Sequence, residues 1–328
     1  MIKNRVLDFS FKYGALILIF GVVIFFSFVN EFFFTYDNVA DILRSISIVT
    51  LIAIGVTFSL IVNGFDLSVG STMSLSTVLT ATLMVWYEFP LWVVILLPIV
   101  VGAAVGLFNS YLIVKIKIPD LLATLGTMYI VAGIHRTYTK GYSIYNNMPF
   151  EDGTTAPGVF TESFLWIGQG KLFGIPVPVI VMILFVVLVH IFLNYTRGGR
   201  ILYITGGNEE AARLSGIRVD RVKTAAYIVS GIFASMAGVL FAARVGSGQI
   251  DAGAPLLMEA VAAVFVGFSV LGAGKPNVIG TFFGAVLIGV LLNGLTMLNL
   301  PYYSFEIVKG TVLASALAVT YIHLKRKR

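Results

Sequence analysis

The sequence predicts an all-α membrane protein with about ten transmembrane helices, forming one domain over residues 1–328. Three observations predict it. Hydrophobic residues make up 58% of the chain and charged residues only 12%, where a soluble domain carries about 25% charge. Mean hydropathy is +0.95, as expected when lipid is the main solvent. Windows of roughly 20 apolar residues, enough to cross about 30 Å of hydrocarbon, recur along the whole chain between breaks of Pro, Gly and clustered charge.

The first apolar run, Tyr13–Val29, follows a basic segment and lacks an A-x-A-like cleavage site, so it reads as an uncleaved first span. Further spans are placed near 44–62, 67–86, 91–114, 119–137, 177–195, 222–243, 256–273, 277–298 and 305–323. Lys and Arg set the direction. With the N-terminus inside, the inner segments hold 16 of the 22 basic residues, including Lys115, Lys117, Arg197, Arg200, Arg213, Arg218, Arg221, Lys223, Lys275 and the C-terminal KRKR. This is the positive-inside bias. An even span count then places both termini in the cytoplasm. Trp86, Tyr87, Trp92 and Trp166 fall at outer ends, as an aromatic belt requires. The net charge of +6 follows from the same bias and implies no nucleic-acid partner.

Several chemistries are excluded. The chain has no cysteine, so disulfides, thiolate metal sites and cysteine nucleophiles are absent. His135, His190 and His323 lie far apart and show no ligand spacing. The stretch VLGAGKPN has Ser269 where a Walker A motif needs its first Gly, and Pro276 after Lys275 where it needs Ser or Thr. No catalytic site, metal or cofactor is therefore expected. Intramembrane charges are few: Asp66, Glu259 and Lys309, with Arg44 near a span end. A proton-coupled carrier usually shows more acid or histidine relays, which favours an energy source outside the chain.

Two non-membrane segments are long. The outer one, 138–176, contains Asn146, Asn147, Glu151, Asp152, Gly153 and Pro157 and reads as an irregular docking loop. The inner one, 196–223, reads as a short capped helix. Asn208 is a good N-cap; Glu209 and Glu210 stand in the first turn, where the helix dipole favours anions; Gly216 is a natural stop. Ala211, Ala212, Arg213 and Leu214 fill the helix. Such an element suits contact with a cytoplasmic partner, the alternative being a helix lying on lipid.

Within the spans, Gly102/Gly106 and Gly280/Gly284 are GxxxG pairs suited to close helix packing. The segment Ile61–Ser71 sets Asn63, Asp66 and Ser68 between two apolar runs, with Gly64 and Gly70 around them. Two readings fit: a broken helix or re-entrant turn in the bundle interior, or a cytoplasmic turn capped by Asp66.

These residues carry a resemblance. NGFDLSVGS is similar to the G-x-DLSVGS motif of permease subunits of bacterial ABC importers of the ribose, xylose and galactoside type. ITGGNEEAARLSGI resembles that family's GGN-x-x-AA-x-x-SGI element, and the stretches at 44–64, 121–134 and 291–310 also fit, so the likeness runs from about residue 32 to 323. It implies the ten-helix fold of the larger ABC importers in the bacterial inner membrane. It implies three kinds of partner: a cytoplasmic ATP-binding subunit, an extracytoplasmic solute-binding protein, and a second permease copy or paralogue. It also implies that Gly207, Asn208, Glu209, Ala211, Ala212, Ser215 and Gly216 form the coupling helix on the ATPase, with Arg213 and Glu209 as expected contacts. The chain departs from the family pattern near spans eight and nine. Glu259 stands near the usual acid, but Phe268, Ala273 and Pro276 replace glycines.

The expected function is a permease subunit that passes a small sugar or polyol delivered by a binding protein. Asn63, Asp66, Ser68, Gly70, Glu259 and Phe268 are the candidate pathway or broken-helix residues. The alternatives are a permease for a nucleoside, an amino acid or another small polar solute, or a stand-alone carrier or channel.

Overall fold

The computed structural model describes the backbone of residues 2–269, 275–298, 301–312 and 314–315, and side chains from residue 16 onward except 269 and 302. The elements are α1 (Ile2–Val29), α2 (Tyr36–Ile61), α3 (Val69–Ala81), α4 (Leu91–Ser110), α5 (Asp120–Tyr138), α6 (Glu162–Gln169), a two-residue hairpin β1 (Lys171–Leu172) and β2 (Ile175–Pro176), α7 (Val177–Tyr195), α8 (Arg197–Gly207), α9 (Glu209–Leu214), α10 (Val219–Val245), α11 (Gly253–Ser269) and α12 (Val278–Met297). α3 and α4 each run on into a π-helical turn, Thr82–Trp86 and Tyr111–Lys115. Helical backbone resumes at residues 305–312 and 314–315.

Proline sets where several helices begin. Pro90, Pro119 and Pro176 precede α4, α5 and α7 with φ of −64°, −51° and −58°, close to the value the ring imposes. α10 ends on Gly246 at φ +68°, a left-handed cap that a side chain resists.

Among the described residues six helices are long and apolar enough to cross a membrane: Tyr36–Ile61, Val69–Trp86, Leu91–Lys115, Val177–Tyr195, Val219–Val245 and Val278–Met297. Leu16–Val29 and Gly253–Phe268 are shorter apolar helices, and α5 carries Asp120 and Arg136 at its ends. The end of the last expected span, 305–323, lies outside the described residues from 316 on, as do His323, the basic tail and the Gly-rich run 270–274 with Ala273.

Burial separates the centre from the rim. The apolar windows of α2, α3 and α10 are 72%, 83% and 67% buried, while that of α4 is only 22% buried. Thus α2, α3 and α10 form the middle of the bundle, and α4 shows most of its surface outward. Both GxxxG pairs serve close packing. A Cβ on Gly102 or Gly106 would run into α10 at Gly231, Ser235 and Tyr227, and one on Gly284 would run into Ala263 of α11. Backbones this close gain dispersion contacts, which is what joins helices in lipid.

The structure corrects two boundaries. α2 begins at Tyr36 rather than Arg44; Asp37, Asn38 and Asp41 look like loop residues but are used within its first turns. Asn38 and Asn293 exchange amide hydrogen bonds at 2.9 and 3.1 Å, and Arg44 pairs with Asp41 at 2.8 Å. The inner segment contains two helices, not one. α8 forms straight through Gly198 and Gly199 because Thr196 caps it, accepting from the Gly199 N–H at 3.2 Å. The loop 138–176 is irregular as far as Thr161, then forms α6 and the hairpin.

Candidate functional site

Two regions gather the residues singled out in the sequence. The first is the break between α2 and α3. Asn63 takes φ +60°, a left-handed turn that Asn tolerates well, and its side chain is exposed. Gly64 follows where a Cβ would strike the hydroxyl of Tyr227. The chain then runs without helix to Ser68 and restarts as α3.

Asp66 is 1% exposed. One carboxyl oxygen accepts from the Ser68 amide at 2.9 Å and the Ser68 hydroxyl at 2.7 Å, with the Asn109 amide at 3.4 Å. The other accepts from Ser230 of α10 at 2.8 Å. Asn109 of α4 also donates to Ser68 at 2.7 Å. Asp120 of α5 accepts from the Phe65 amide at 2.5 Å, and Thr124 donates to the Phe65 carbonyl at 3.1 Å. This short segment therefore ties α3, α4, α5 and α10 together through neutral donors.

Its depth follows from helix rise. Gly206 of α8 packs against the Ile61 carbonyl at the end of α2, whereas Ser230 lies eleven residues into α10, about 16 Å along its axis. Between Ile61 and Asp66 the chain climbs back into the bundle, and α3 starts part-way up. Helix therefore resumes at Val69 inside the bundle, after a non-helical stretch anchored on α4, α5 and α10.

The other interior candidates sit apart from Asp66. Gly70 packs on the Gly253 carbonyl, 3.0 Å from where a Cβ would stand. Glu259 pairs with Lys309 at 3.1 Å, and Lys309 also reaches Glu306 at 3.3 Å. Phe268 packs edge-on against Phe265, 5.2 Å between centroids, and Phe265 stacks on Phe65 at 6.4 Å. Phe268 thus reaches the broken segment only through a second ring. Sequence reading missed Asn109, Ser230 and Asp120. Asn109 left a signal, a lone amide in an apolar span; Ser230 left none.

The second region is the α8–α9 hairpin. The Asn208 side chain accepts from the Ala211 amide at 2.9 Å, as an N-cap should. Gly207 ends α8 with open space around it, and Gly216 at φ +80° reverses the chain after α9. Ser215 donates to the Ala211 carbonyl at 2.8 Å, and Ala212 is fully buried. Glu209 accepts from Arg213 at 3.1 Å and from Lys223 of α10 at 2.5 Å; Arg213 also pairs with Asp220 at 2.6 Å. The bond from Lys223, helped by Arg213, holds the Glu209 carboxyl below its ordinary range. The bond to Asp220, helped by Glu209, raises Arg213. Tyr203 of α8 donates to the Pro276 carbonyl at 2.9 Å, and burial pushes its phenol up to about 12. The hairpin is thus fixed to α10 and to the start of α12, while Leu214 projects at its tip, 86% exposed.

A bundle of apolar helices with hydrogen-bonded polar side chains in its interior and an ordered hairpin at one end has the layout of a membrane permease. The chain belongs to the permease family described as "Branched-chain amino acid transport system / permease component", which it matches over residues 38–317. Its relatives include the ribose import permease protein of Haemophilus influenzae, 36% identical over 99% of this chain and 100% of that protein. The ribose import permease protein of Bacillus subtilis is 37% identical over 93% of this chain and 91% of its own length. The galactose/methyl galactoside import permease protein of Escherichia coli K12 is 31% identical over 96% and 95%. No solved structure matches the chain.

Proposed function

We propose that this chain is the membrane-spanning subunit of an ATP-driven importer and passes a small neutral sugar or polyol across the bacterial cytoplasmic membrane. The observation that carries this reading is the match, over nearly the whole chain, to permeases named for ribose and galactoside import. The family description favours a second reading, a branched-chain amino acid. A zwitterion's carboxylate calls for a cation, and among the described residues Asp66 has none paired with it, its partners being hydroxyls and amides. That chemistry suits hydroxylated solutes better.

In this reading ten spans cross the membrane with both termini in the cytoplasm, and a second permease copy or paralogue completes the pathway. The α8–α9 hairpin is the coupling element. Its internal ion pairs make Glu209 and Arg213 positioning residues, and Leu214 is the apolar contact offered to the ATP-binding subunit. At the other end the solute-binding protein docks on the 138–176 loop, where Phe173 stands 96% exposed at the hairpin turn. Asp66 and Ser68 brace the broken helix that the pathway passes. Nucleotide and solute each bias the access states only by binding one better than the other.

The test is co-purification. The full chain, tagged and extracted from its native membrane in mild detergent, is expected to bring down a Walker-motif ATPase identified by mass spectrometry. Recovery of the chain alone, in a preparation where a known importer complex survives, would instead support a stand-alone carrier or channel.

A further inference from the structure

A cavity of about 760 Å³ opens between the π-helical end of α4 and the start of α10. Its rim carries Lys115, Arg218 and Arg221, all exposed. Among the described residues none of the three makes an ion pair, and the one carboxylate on the rim, Asp220, is already paired with Arg213. Below the rim Ser110 donates to Thr224 at 2.6 Å, and the walls beyond them are apolar and include Leu107 and Ile228. Leu107 lies eight residues before Lys115, and Ile228 seven after Arg221; at helical rise they stand about 12 and 10 Å up from the rim. Leu107 is 52% exposed and Tyr111 56% exposed, so the cavity opens sideways on the outer face of the protomer. The π-turn at Tyr111–Lys115 adds a residue to the helix at this point and changes the direction in which Lys115 leaves it. Such turns often mark functional positions.

We propose that this cavity binds one anionic phospholipid, its phosphate between Lys115, Arg218 and Arg221 and an acyl chain along Leu107 and Ile228. Charge complementarity selects the anion, and depth selects the lipid. A soluble partner could reach the basic rim, but not walls that lie more than a helix turn inside an apolar span. A phospholipid supplies both chemistries in one molecule, and basic pockets between spans recognise such headgroups. Arg221 also lines a second, apolar cavity of about 560 Å³ between α2, α7 and α10, which gives the other chain a place beside the same guanidinium. The site abuts α9, so its occupancy would stiffen the root of the hairpin. The inference requires only that the chain cross a membrane, and stands whatever solute it passes.

The test uses the full chain in nanodiscs of phosphatidylcholine with phosphatidylglycerol, with retained lipid read by native mass spectrometry. The variant Lys115→Gln/Arg218→Gln/Arg221→Gln is expected to hold phosphatidylglycerol at least about tenfold more weakly, with phosphatidylcholine retention unchanged. Arg197→Gln/Arg200→Gln, which removes charge elsewhere on the same end, is expected to match the unaltered chain. Equal loss in both variants, or none in the first, would overturn the proposal. So would displacement of the lipid by inorganic phosphate at matched ionic strength, which would make this a phosphate site. Loss of a bound ATPase with lipid retention intact would make the rim a protein-docking surface and overturn it too. A diazirine-bearing phosphatidylglycerol keeps the question decidable if the variant fails to fold. On the unaltered chain it is expected to label residues 107–115 and 217–228, and labelling confined to other segments would contradict the site.

Discussion

The Asp66 node and the Glu209 hairpin each organise their surroundings around one carboxyl group, by opposite means. Asp66 is buried and satisfied by hydroxyl and amide donors from several helices. Glu209 is partly exposed and held by two cations, one on its own helix and one on α10. Hydrogen bonds in a dry interior are unscreened, and a donor that loses its partner there has no water to replace it. Ion pairs at a surface share their field with solvent and salt, and each contributes little. One arrangement fixes a shape that the membrane cannot relax. The other sets a moderate, adjustable orientation at the hairpin, which suits the proposed docking of an ATP-binding subunit.

Breaking the node should have the largest effect. Asp66→Ala leaves the Ser230 hydroxyl and the Ser68 amide and hydroxyl short of an acceptor and is expected to cost about 2–3 kcal/mol, read as a lower thermal unfolding midpoint in detergent. Asp66→Asn keeps the shape and one acceptor, and should lose under about 1.5 kcal/mol. Equal losses for both would mean that the acceptor lost in both variants, not the shape that Asn retains, dominates there. Next comes the packing that surrounds the node. Gly106→Val drives a side chain into the Tyr227 and Ile228 backbone and should destabilise by about 1–3 kcal/mol, with α4 and α10 losing protection from hydrogen exchange together.

The hairpin should be more forgiving. Asn208→Ala removes the cap of α9 and is expected to cost about 1 kcal/mol locally, seen as faster exchange at residues 210–214 while the bundle melts as before. The smallest effect is electrostatic. Because the folded pKa of Glu209 is lowered, its contribution is fully present above the ordinary glutamate value of 4.5 and is lost as pH falls through the folded value. Anchoring of α9 on α10 should therefore be unchanged from neutral pH to about 5, weaken on further acidification, and weaken with added salt even at neutral pH. A hairpin that loosened on moving from pH 5 to 7 would contradict that sign.

What could be read in advance follows the same division. The runs opened by Pro90, Pro119 and Pro176 were legible because proline and apolar length are local signals. The α9 cap was legible because Asn208, Glu209 and Gly216 act within nine residues of one another. The start of α2 was not, since Asn38 looks like a loop residue until Asn293, 255 residues away, is brought beside it. α8 was hidden because Gly198 and Gly199 read as a break. Gly199 in fact lies against the Leu193 and Phe192 backbone, where no Cβ fits. Asp66 itself was visible, but Ser230 lies 164 residues away, and no spacing rule connects them. Grouping Asn63 with Asp66 and Ser68 followed sequence proximity, and the turn separates them.

The central claim is that this chain passes a neutral hydroxylated solute only when driven by an ATPase seated on the Leu214 tip. Uptake of radiolabelled ribose and leucine into proteoliposomes holding the chain with its co-purified ATPase and binding protein tests it most directly, with and without ATP, for the unaltered chain and for Leu214→Asp. The account predicts ATP-dependent uptake of the sugar, none of leucine, and loss of uptake in Leu214→Asp with the melting temperature unchanged. Uptake without ATP, uptake of leucine in preference to the sugar, or full activity in Leu214→Asp would contradict it.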